Sequence, residues 1–526
     1  MKSQYKALIV GAGPTGLTVA AELARQGVDA SEFLIIDSLD EPQKLTKGTS
    51  LVPRTMELLD LYDGVGKRLS EQGTRWTCVN FHSENYKFTS IEFGAELKRL
   101  TDYPFFCNVE QWKTELELTT YLKARGVQLT RGVALESFKD LGDYIQVALS
   151  NGQEIKVDYM VACDGAKSRV RKELGIGYTG TTLKHGSVGI HCSTDSKLPS
   201  GIDLGLFYSS KGVGYMLGLP DNTMAIALDL SEEEERGYVT KELDSHGLPY
   251  LLPIPLEEIE KLIQERFNVE FKAKEVVWTT RFRVHHRLAD KYSNDNRIFL
   301  AGDAGHSSSP SAGLGLNYGV HEAVNIGWKL AFVINNLASP ELLKTYALER
   351  RKEGERLIKS LQQQQDSAEL TGIAKYIRNI AMYTFVNFVP GFKAKRTRIG
   401  ALTSIQYGGD LTLNYGKSTA TTILAGRQLS PMLFKKLGLS PSAIKGYTAV
   451  IFGSKDDKFT NELKRTGVVG MVKVAKEEHY KDFQVQNTAV LLVRPDGYIG
   501  YRADSLDIQS CLGYLKDNAF GILSEQ

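Results

Sequence analysis

The sequence predicts an α/β protein. A parallel sheet is interrupted by a mainly antiparallel one and followed by a small C-terminal α/β unit. Three observations carry this. The apolar run Tyr5–Val10 leads through glycines into a helical pattern and then a second apolar run, Phe33–Ile36. That is a strand–helix–strand unit with parallel strands. From about 180 to 280 the pattern becomes short alternating runs, as in strands with one covered face. Ile298–Ala301 then restores the first pattern, and strands mix with helices again after about Tyr407.

Each element follows in order. Tyr5–Val10 reads as a buried strand, and a helix follows from about Thr15 to Gln26 with Leu17, Ala20, Ala21 and Leu23 on one side. Phe33–Ile36 is a strand ending at Asp37, and Thr55–Tyr62 and Gln111–Ala124 are helical. Ile145–Leu149 and Ile155–Val161 are strands around the Asn151-Gly152 turn. The inserted sheet takes Ser187–Ile190, Gly205–Tyr208, Gly214–Leu219 and Met224–Leu228, with an acidic stretch at Glu232–Glu235. Helices run from about Tyr318 to Asn336 and from Pro340 to Glu369, where Gln362–Gln365 reads as a solvated face. The last unit is separate, of about 110 residues. Its strands are Tyr447–Phe452, Ala489–Val493 and Tyr498–Tyr501, with Arg494-Pro495-Asp496-Gly497 as a turn.

The chain has 526 residues, enough for two or three domains with a large core. Its net charge is only +2 and no long basic tract exists, so nucleic-acid binding is not expected. The five cysteines are far apart with no C-x-x-C pair, so neither a disulfide framework nor a metal site is expected. The chain enters a strand at once, and Leu330–Ile334 and Ala381–Val389 are too short or interrupted to span a bilayer. A soluble, cytoplasmic protein with no membrane partner is expected, as monomer or homodimer.

Three motifs carry chemistry. Gly11-x-Gly13-x-x-Gly16, with Pro14 and Thr15 inside it, follows a strand and opens a helix. Its glycines permit a tight turn, close approach to a pyrophosphate and helix packing, while Asp37 is placed to accept from a ribose. This points to an adenine dinucleotide without separating FAD from NAD. The second motif, from Ala162 to Arg171, places Asp164-Gly165 before a helix start near Ser168. Its donors and arginines suit a pyrophosphate; by itself it reads more simply as a capped helix start with surface arginines. The third is RIFLAGDAGHSSSPSAGLGLN at 297–317. Gly302-Asp303 ends a strand, where an acid holds a sugar hydroxyl. Gly313, Leu314, Gly315, Leu316 and Asn317 then let backbone N–H groups at a helix start approach an electron-rich ring. The combination suggests a flavin.

With these residues in order, the chain resembles the FAD-dependent aromatic hydroxylases, the single-component class A flavoprotein monooxygenases. GAGPTG at Gly11, CDGAKSRVR at Cys163 and AGDAGHSSSPSAGLGLN at Ala301 match their fingerprints. LVPRTMELLDL, EQWKTELEL and LLVRPDGYIGYRA are further echoes, the last resembling the C-terminal thioredoxin-like domain of phenol, rifampicin and polyketide hydroxylases. The resemblance implies a Rossmann-like FAD-binding domain at 1–180 and 281–405, the latter with the long helices. It implies a substrate-binding β-sheet domain at 181–280 and a thioredoxin-like domain at 406–526. Gly11, Gly13, Thr15 and Gly16 would face the FAD pyrophosphate, Asp37 the adenosine ribose and Asp303 the ribityl chain. Pro310, Gln111 and Gly313–Asn317 would lie at the isoalloxazine ring. Asp164 and Arg171 would serve both FAD and the reducing nicotinamide. Lys47 stands where the family usually has arginine, Gly305 replaces alanine, Ala312 glycine and Glu322 aspartate. Cys511 has no partner cysteine in its domain, so thiol–disulfide exchange is not implied.

The implied reaction uses NAD(P)H and O2 to hydroxylate an aromatic, phenolic or polycyclic small molecule through a C4a-hydroperoxyflavin. NAD(P)H would bind transiently, since no second dinucleotide fold is visible. A base that deprotonates a phenol would assist. Candidates are His191, Tyr208, Tyr215 and His285, each on an expected strand and each equally readable as packing. Phe105, Phe106, Phe207 and Met216 are candidates for an apolar pocket, and His306 for a brace of the flavin loop. Alternatives are a Baeyer–Villiger-type or antibiotic-inactivating oxygenation on the same fold, or a non-catalytic flavin-binding protein. The W-x-W-x-I-P element of flavin halogenases is absent from the sequence.

Overall fold

The computed structural model describes residues 2–42, 44, 48–83, 86–98, 100–198, 203–209, 211–243, 248–295, 297–308, 313–368, 370, 372–389, 425–426, 428–440, 445–453 and 457–517. The first sheet has five parallel strands in the order Ile298–Leu300, Glu154–Ala162, Gln4–Val10, Phe33–Asp37 and Leu129–Arg131. Antiparallel strands flank it, among them the hairpin partner Ile145–Leu149. Leu8, Ile9 and Ile35 are fully buried, as continuous apolar runs in a parallel sheet require. The helix Pro14–Arg25 packs on this sheet beside the helix Gly315–Ile334, here called the ring helix. Gly327 makes the approach possible, because a Cβ there would stand 2.6 Å from that of Glu22.

The second sheet has seven strands: Val276–Phe282, Ser187–Ser193, Thr223–Asp229, Gly212–Gly218, Leu204–Ser209, Cys78–Ser83 and Tyr86–Glu92. It is mainly antiparallel, as expected, apart from the parallel pairing of Leu204–Ser209 with Cys78–Ser83. The last two strands come from within 1–180. Their partner strand Leu204–Ser209 is distant in the chain, so this membership was invisible in the sequence. The helix Leu256–Phe267 covers one face through Ile259, Ile263 and Phe267 against Ile190, Phe207 and Met216.

The C-terminal sheet has the order Val469–Val474, Tyr447–Phe452, Ala489–Val493, Ile499–Ala503. It is less separate than its sequence suggested. One face joins the main core, with the Tyr447 ring 6.0 Å from Trp328 and 6.5 Å from Phe332 of the ring helix. The glutamine run is also less solvated than expected: Gln365 is buried, and Gln362 Oε1 accepts from Thr181 Oγ1 at 3.0 Å. The long helix Glu341–Ala368 therefore packs along that edge. Among the described residues, no helix is long and apolar enough to cross a membrane.

Candidate active site

At the glycine turn, two glycines are dictated by packing and one is not. Gly11 has φ +104°, and a Cβ there would collide with the Cys163 carbonyl. A Cβ on Gly16 would collide with the Gly11 carbonyl. A Cβ on Gly13 would meet nothing within 4 Å. The helix beginning at Pro14 has no side-chain cap, so its first N–H groups open onto that space. Asp37 closes the turn: its Oδ2 accepts from the Ala12 amide at 2.7 Å and its Oδ1 from Leu39 at 2.8 Å. The carboxylate remains half-buried at the edge of the same space.

The second motif is a capped helix start. Asp164 Oδ2 accepts from the Arg169 and Val170 amides at 2.7 and 3.2 Å, and Ser168 Oγ accepts from Arg171 N at 3.0 Å. Arg171 turns inward. Its guanidinium donates to the carbonyls of Ala304 at 2.9 Å and Ala166 at 2.8 Å, over the Tyr178 ring. Arg171 thus ties the second motif to the third. Asp164 Oδ1 is buried and has no hydrogen-bond partner among the described residues.

The third motif leaves the sheet at Gly302, φ +62°, whose N–H donates to the buried Glu322 Oε2 at 2.7 Å. The same oxygen lies 3.2 Å from His306 Nε2. Burial disfavours a charged His306, but the Glu322 carboxylate outweighs it and raises the imidazole pKa. Glu322 and His306 therefore staple the loop to the ring helix. Thr15 wedges between Gly302 and Gly319, where any Cβ would strike its hydroxyl. Asp303 is exposed, and its Oδ1 would be 3.9 Å from a Cβ on Gly315.

Asn317 fastens the other end. Its amide donates to Ser50 O at 2.8 Å and Gly313 O at 2.6 Å, and its Oδ1 accepts from Val52 N at 3.0 Å. Its side chain therefore shapes the loop around Gly313–Asn317. Gly48, Leu316 and Gln111 converge here: a Cβ on Gly48 would lie 3.3 Å from Leu316 and 3.8 Å from Gln111 Oε1. Gln111 Nε2 donates to Glu115 at 2.8 Å. Leu314 packs, as Leu204 and Val79 do, against the buried cluster that holds Tyr318, Val52, Trp76 and Phe106. Lys47 and Pro310 lie outside the described residues.

The four candidate bases separate. His191 pairs with Ala225, Ala225 with Leu217, and Tyr215 with Ala227 and Leu206. With Tyr208, these lie on the face of the second sheet opposite the helix Leu256–Phe267. His191 Nε2 is 2.8 Å from Thr223 Oγ1, and its ring stands edge-on to Trp278. Burial lowers its pKa, with Glu110 opposing. Burial raises the Tyr215 pKa, and Asp229 adds to it. Tyr208 packs farther along, with Phe81 and Phe88 under Arg378. His285 lies on another sheet, with its Nδ1 2.9 Å from Thr182 Oγ1. Phe207 and Met216 are core beneath the covering helix, and Phe106 packs on Trp76 and Phe93. Phe105 sits partly buried beneath Arg75.

Comparison with known proteins decides the cofactor. The FAD binding domain family matches residues 4–360. The chain belongs to that family. FAD is its cofactor, and the bare cradle at Gly13, the acids Asp37 and Asp303 and the unpartnered Asp164 Oδ1 fit it. One relative is the 12-dehydrotetracycline 5-monooxygenase/anhydrotetracycline 6-monooxygenase of Streptomyces rimosus, 32% identical over 66% of this chain and 67% of that one. An uncharacterized aromatic compound monooxygenase of Bacillus subtilis is 28% identical over 96% and 95%. Among solved structures, OxyS anhydrotetracycline hydroxylase from Streptomyces rimosus matches with a TM-score of 0.74 at 25% identity, covering 98% of this chain and 99% of that one. The mixed α/β fold is therefore that of FAD-dependent hydroxylase structures.

In this FAD-binding protein, sequence reasoning missed Asn108, Glu110 and Lys113. Asn108 Oδ1 accepts from Ser50 Oγ at 2.6 Å and Trp76 Nε1 at 2.8 Å, and its amide donates to Gly218 O at 2.9 Å. It ties the flavin loop's neighbour strand to the second sheet. Glu110 and Lys113 pair at 3.0 Å at the start of the helix Gln111–Lys123, facing His191. Glu110 adjoins Gln111, which was a usable signal; nothing in the sequence marks Asn108.

Proposed function

We propose that this flavoprotein is a monooxygenase that uses NAD(P)H and O2 to hydroxylate an aromatic, phenolic or polycyclic small molecule. One observation carries the reading. Leu204 packs both against the buried cluster around Tyr318 that Leu314 of the flavin loop also joins, and against the cluster of Leu217, Leu219 and Ala225 that Tyr215 also joins, on the face of the second sheet turned away from the helix Leu256–Phe267. An apolar surface thus runs from the ring site toward His191 and Tyr215, where a flat apolar ring with a hydroxyl would fit.

Bound FAD would supply the oxygen-activating chemistry, with NAD(P)H as the electron donor and O2 as the source of the oxygen atom. The chain's residues do the rest. Gly13 and the first turn after it receive the pyrophosphate, with Asp37 at the ribose and Asp303 at the ribityl chain. The backbone of Gly313–Asn317 stabilises negative charge on the ring's pyrimidine edge. Leu204, Leu217 and Ala225 exclude water beside the reacting atoms. His191, kept neutral by burial, is the base that takes the phenol proton, and Thr223 orients its ring. Tyr215 on the same face positions the substrate. Arg171 holds the second motif against the flavin loop, and Asp164 caps the helix of that motif, where a nicotinamide would approach. We read the C-terminal unit as thioredoxin-like in fold, without thiol exchange: Cys511 is buried, and burial pushes its thiol up to about 12.

The test is a screen of phenolic and polycyclic compounds for stimulated NAD(P)H oxidation, with products identified by mass. A hydroxylated product is the expected result. Stimulation by a cyclic ketone with ester formation would instead favour a Baeyer–Villiger reaction. A protein that holds FAD yet never consumes NAD(P)H would sink the proposal.

A further inference from the structure

The Arg494-Pro495-Asp496-Gly497 turn of the C-terminal unit is buried, although a tight turn between strands ordinarily faces water. Arg494 forks onto Glu349 of the long helix at 2.9 and 3.0 Å and onto Asp496 at 2.6 and 3.0 Å. Lys329 of the ring helix donates to Glu349 at 2.9 Å. Asp496 Oδ2 also accepts from Asn325 at 3.2 Å and from the Trp328 indole at 3.1 Å, both on the ring helix. The Asp496 carbonyl accepts from Arg54 at 2.7 Å. Arg54 is the second residue of the helix Pro53–Leu59, two positions after Val52.

Arg494 and Lys329 are thus buried with Glu349 and Asp496, and Arg54 with its own partner Glu57 at 3.1 Å, so the charges balance. Such a cluster adds little stability over an apolar core of the same volume, but it fixes distances and angles. The two elements it grips are the ones Asn317 joins. Asn317 bonds Val52 and Ser50 at the flavin-ring end. Asn325 lies eight residues farther along the same helix, about 12 Å away at helical rise. The ring loop is therefore closed by Asn317 and held from behind by the buried turn.

We propose that Arg494 and Asp496 are positioning residues for the flavin. They act through Asn325 and Trp328 on the ring helix, and through Arg54 on the segment Val52–Leu59, to set the geometry of the loop around Gly313–Asn317. This rests on FAD binding at that loop, and gives the C-terminal unit a part in the cofactor site that it never touches.

Two variants test it. Asp496→Asn keeps the shape but unbalances the cluster. Arg54→Met cuts the link to Val52–Leu59 together with the buried Arg54–Glu57 pair at 3.1 Å, beside a cavity of about 190 Å³ that Arg54 lines and that leaves room for repacking. The readouts are FAD affinity by fluorescence, the visible circular dichroism of bound flavin, and melting of the FAD-free and FAD-loaded full chain. Both variants should bind FAD about fivefold or more weakly, with an altered flavin dichroism, and because each leaves a buried charge without its partner the FAD-free protein should also melt below wild type. Melting that falls without any change in affinity or dichroism would overturn the proposal and make the cluster simple cement. If Asp496→Asn does not fold, Arg54→Met decides by the same readouts. A wild-type chain that binds no FAD would overturn the cofactor reading, and this proposal with it.

Discussion

In the parallel sheet the decisive residues are those with the least side chain, whereas in the seven-stranded sheet they are those with the most. Gly11, Gly13, Gly16 and Gly302 matter for what they leave out: a carbonyl or a hydroxyl fills the place of a Cβ at Gly11, Gly16 and Gly302, and the space beside Gly13 is bare. His191, Tyr215 and Leu204 matter for what they present on the one face turned away from the helix Leu256–Phe267. A site made of absences is shared by any protein holding the same dinucleotide. A site made of side chains is particular to its substrate.

The sharpest way to break this comparison is within the glycine turn. Gly16→Ala drives a methyl into the Gly11 carbonyl and should cost about 3 kcal/mol or more in stability, read by denaturant unfolding. Gly13→Ala has free space and an ordinary φ of −73°, so the chain should melt as wild type yet lose FAD. Equal effects on stability would mean that Gly13 is packing too. Next in size is Asp303→Ala, which should weaken FAD binding about 10- to 100-fold by removing a charged hydrogen bond. A purified variant that stays fully yellow would reassign the ribityl contact.

The nucleotide half was legible because its rules are local. Strand, turn, helix and acid follow within Gln4–Asp37, and each glycine answers to a fixed steric demand. The substrate half depends on long-range pairing. No local pattern says that Cys78–Ser83 will lie beside Leu204–Ser209, or that Asn108 will bridge to Gly218. Four bases looked alike on their strands. Tertiary placement put His191 and Tyr215 on the face turned away from the helix Leu256–Phe267 and His285 on another sheet. The burial of the turn at 494–497 was unreadable for the same reason, since R-P-D-G reads as a surface turn in any sequence.

Two smaller effects sharpen the contrast. His191→Gln should leave FAD binding intact and lower the substrate-stimulated rate about 100-fold, the usual share of a general base. Because burial holds His191 below its ordinary value of 6.5, the wild-type rate should stay level above that pH and fall beneath it. A variant with an unchanged rate and profile would leave His191 as packing. On the covered face, Glu234 holds Arg266 of the helix Leu256–Phe267 at 2.6 Å. Burial opposes its charge, but Arg266 and the Ser231 cap outweigh it and hold its carboxyl down at about 2. A depressed carboxyl contributes stability that is full above 4.5 and is lost as pH falls from there through about 2. Glu234→Gln should flatten acid unfolding in that window, and an identical acid profile would remove the pair from the account.

The central claim is that the ring loop and the sheet face carrying His191 together deliver one oxygen atom from O2 to an aromatic ring. The most direct measurement supplies the FAD-loaded protein with NAD(P)H, a stimulating phenol and oxygen gas of the heavy isotope, and weighs the product. The account predicts a hydroxylated product carrying one heavy oxygen. A product whose new oxygen comes from water, or hydrogen peroxide with the phenol unchanged across the screen, would contradict it.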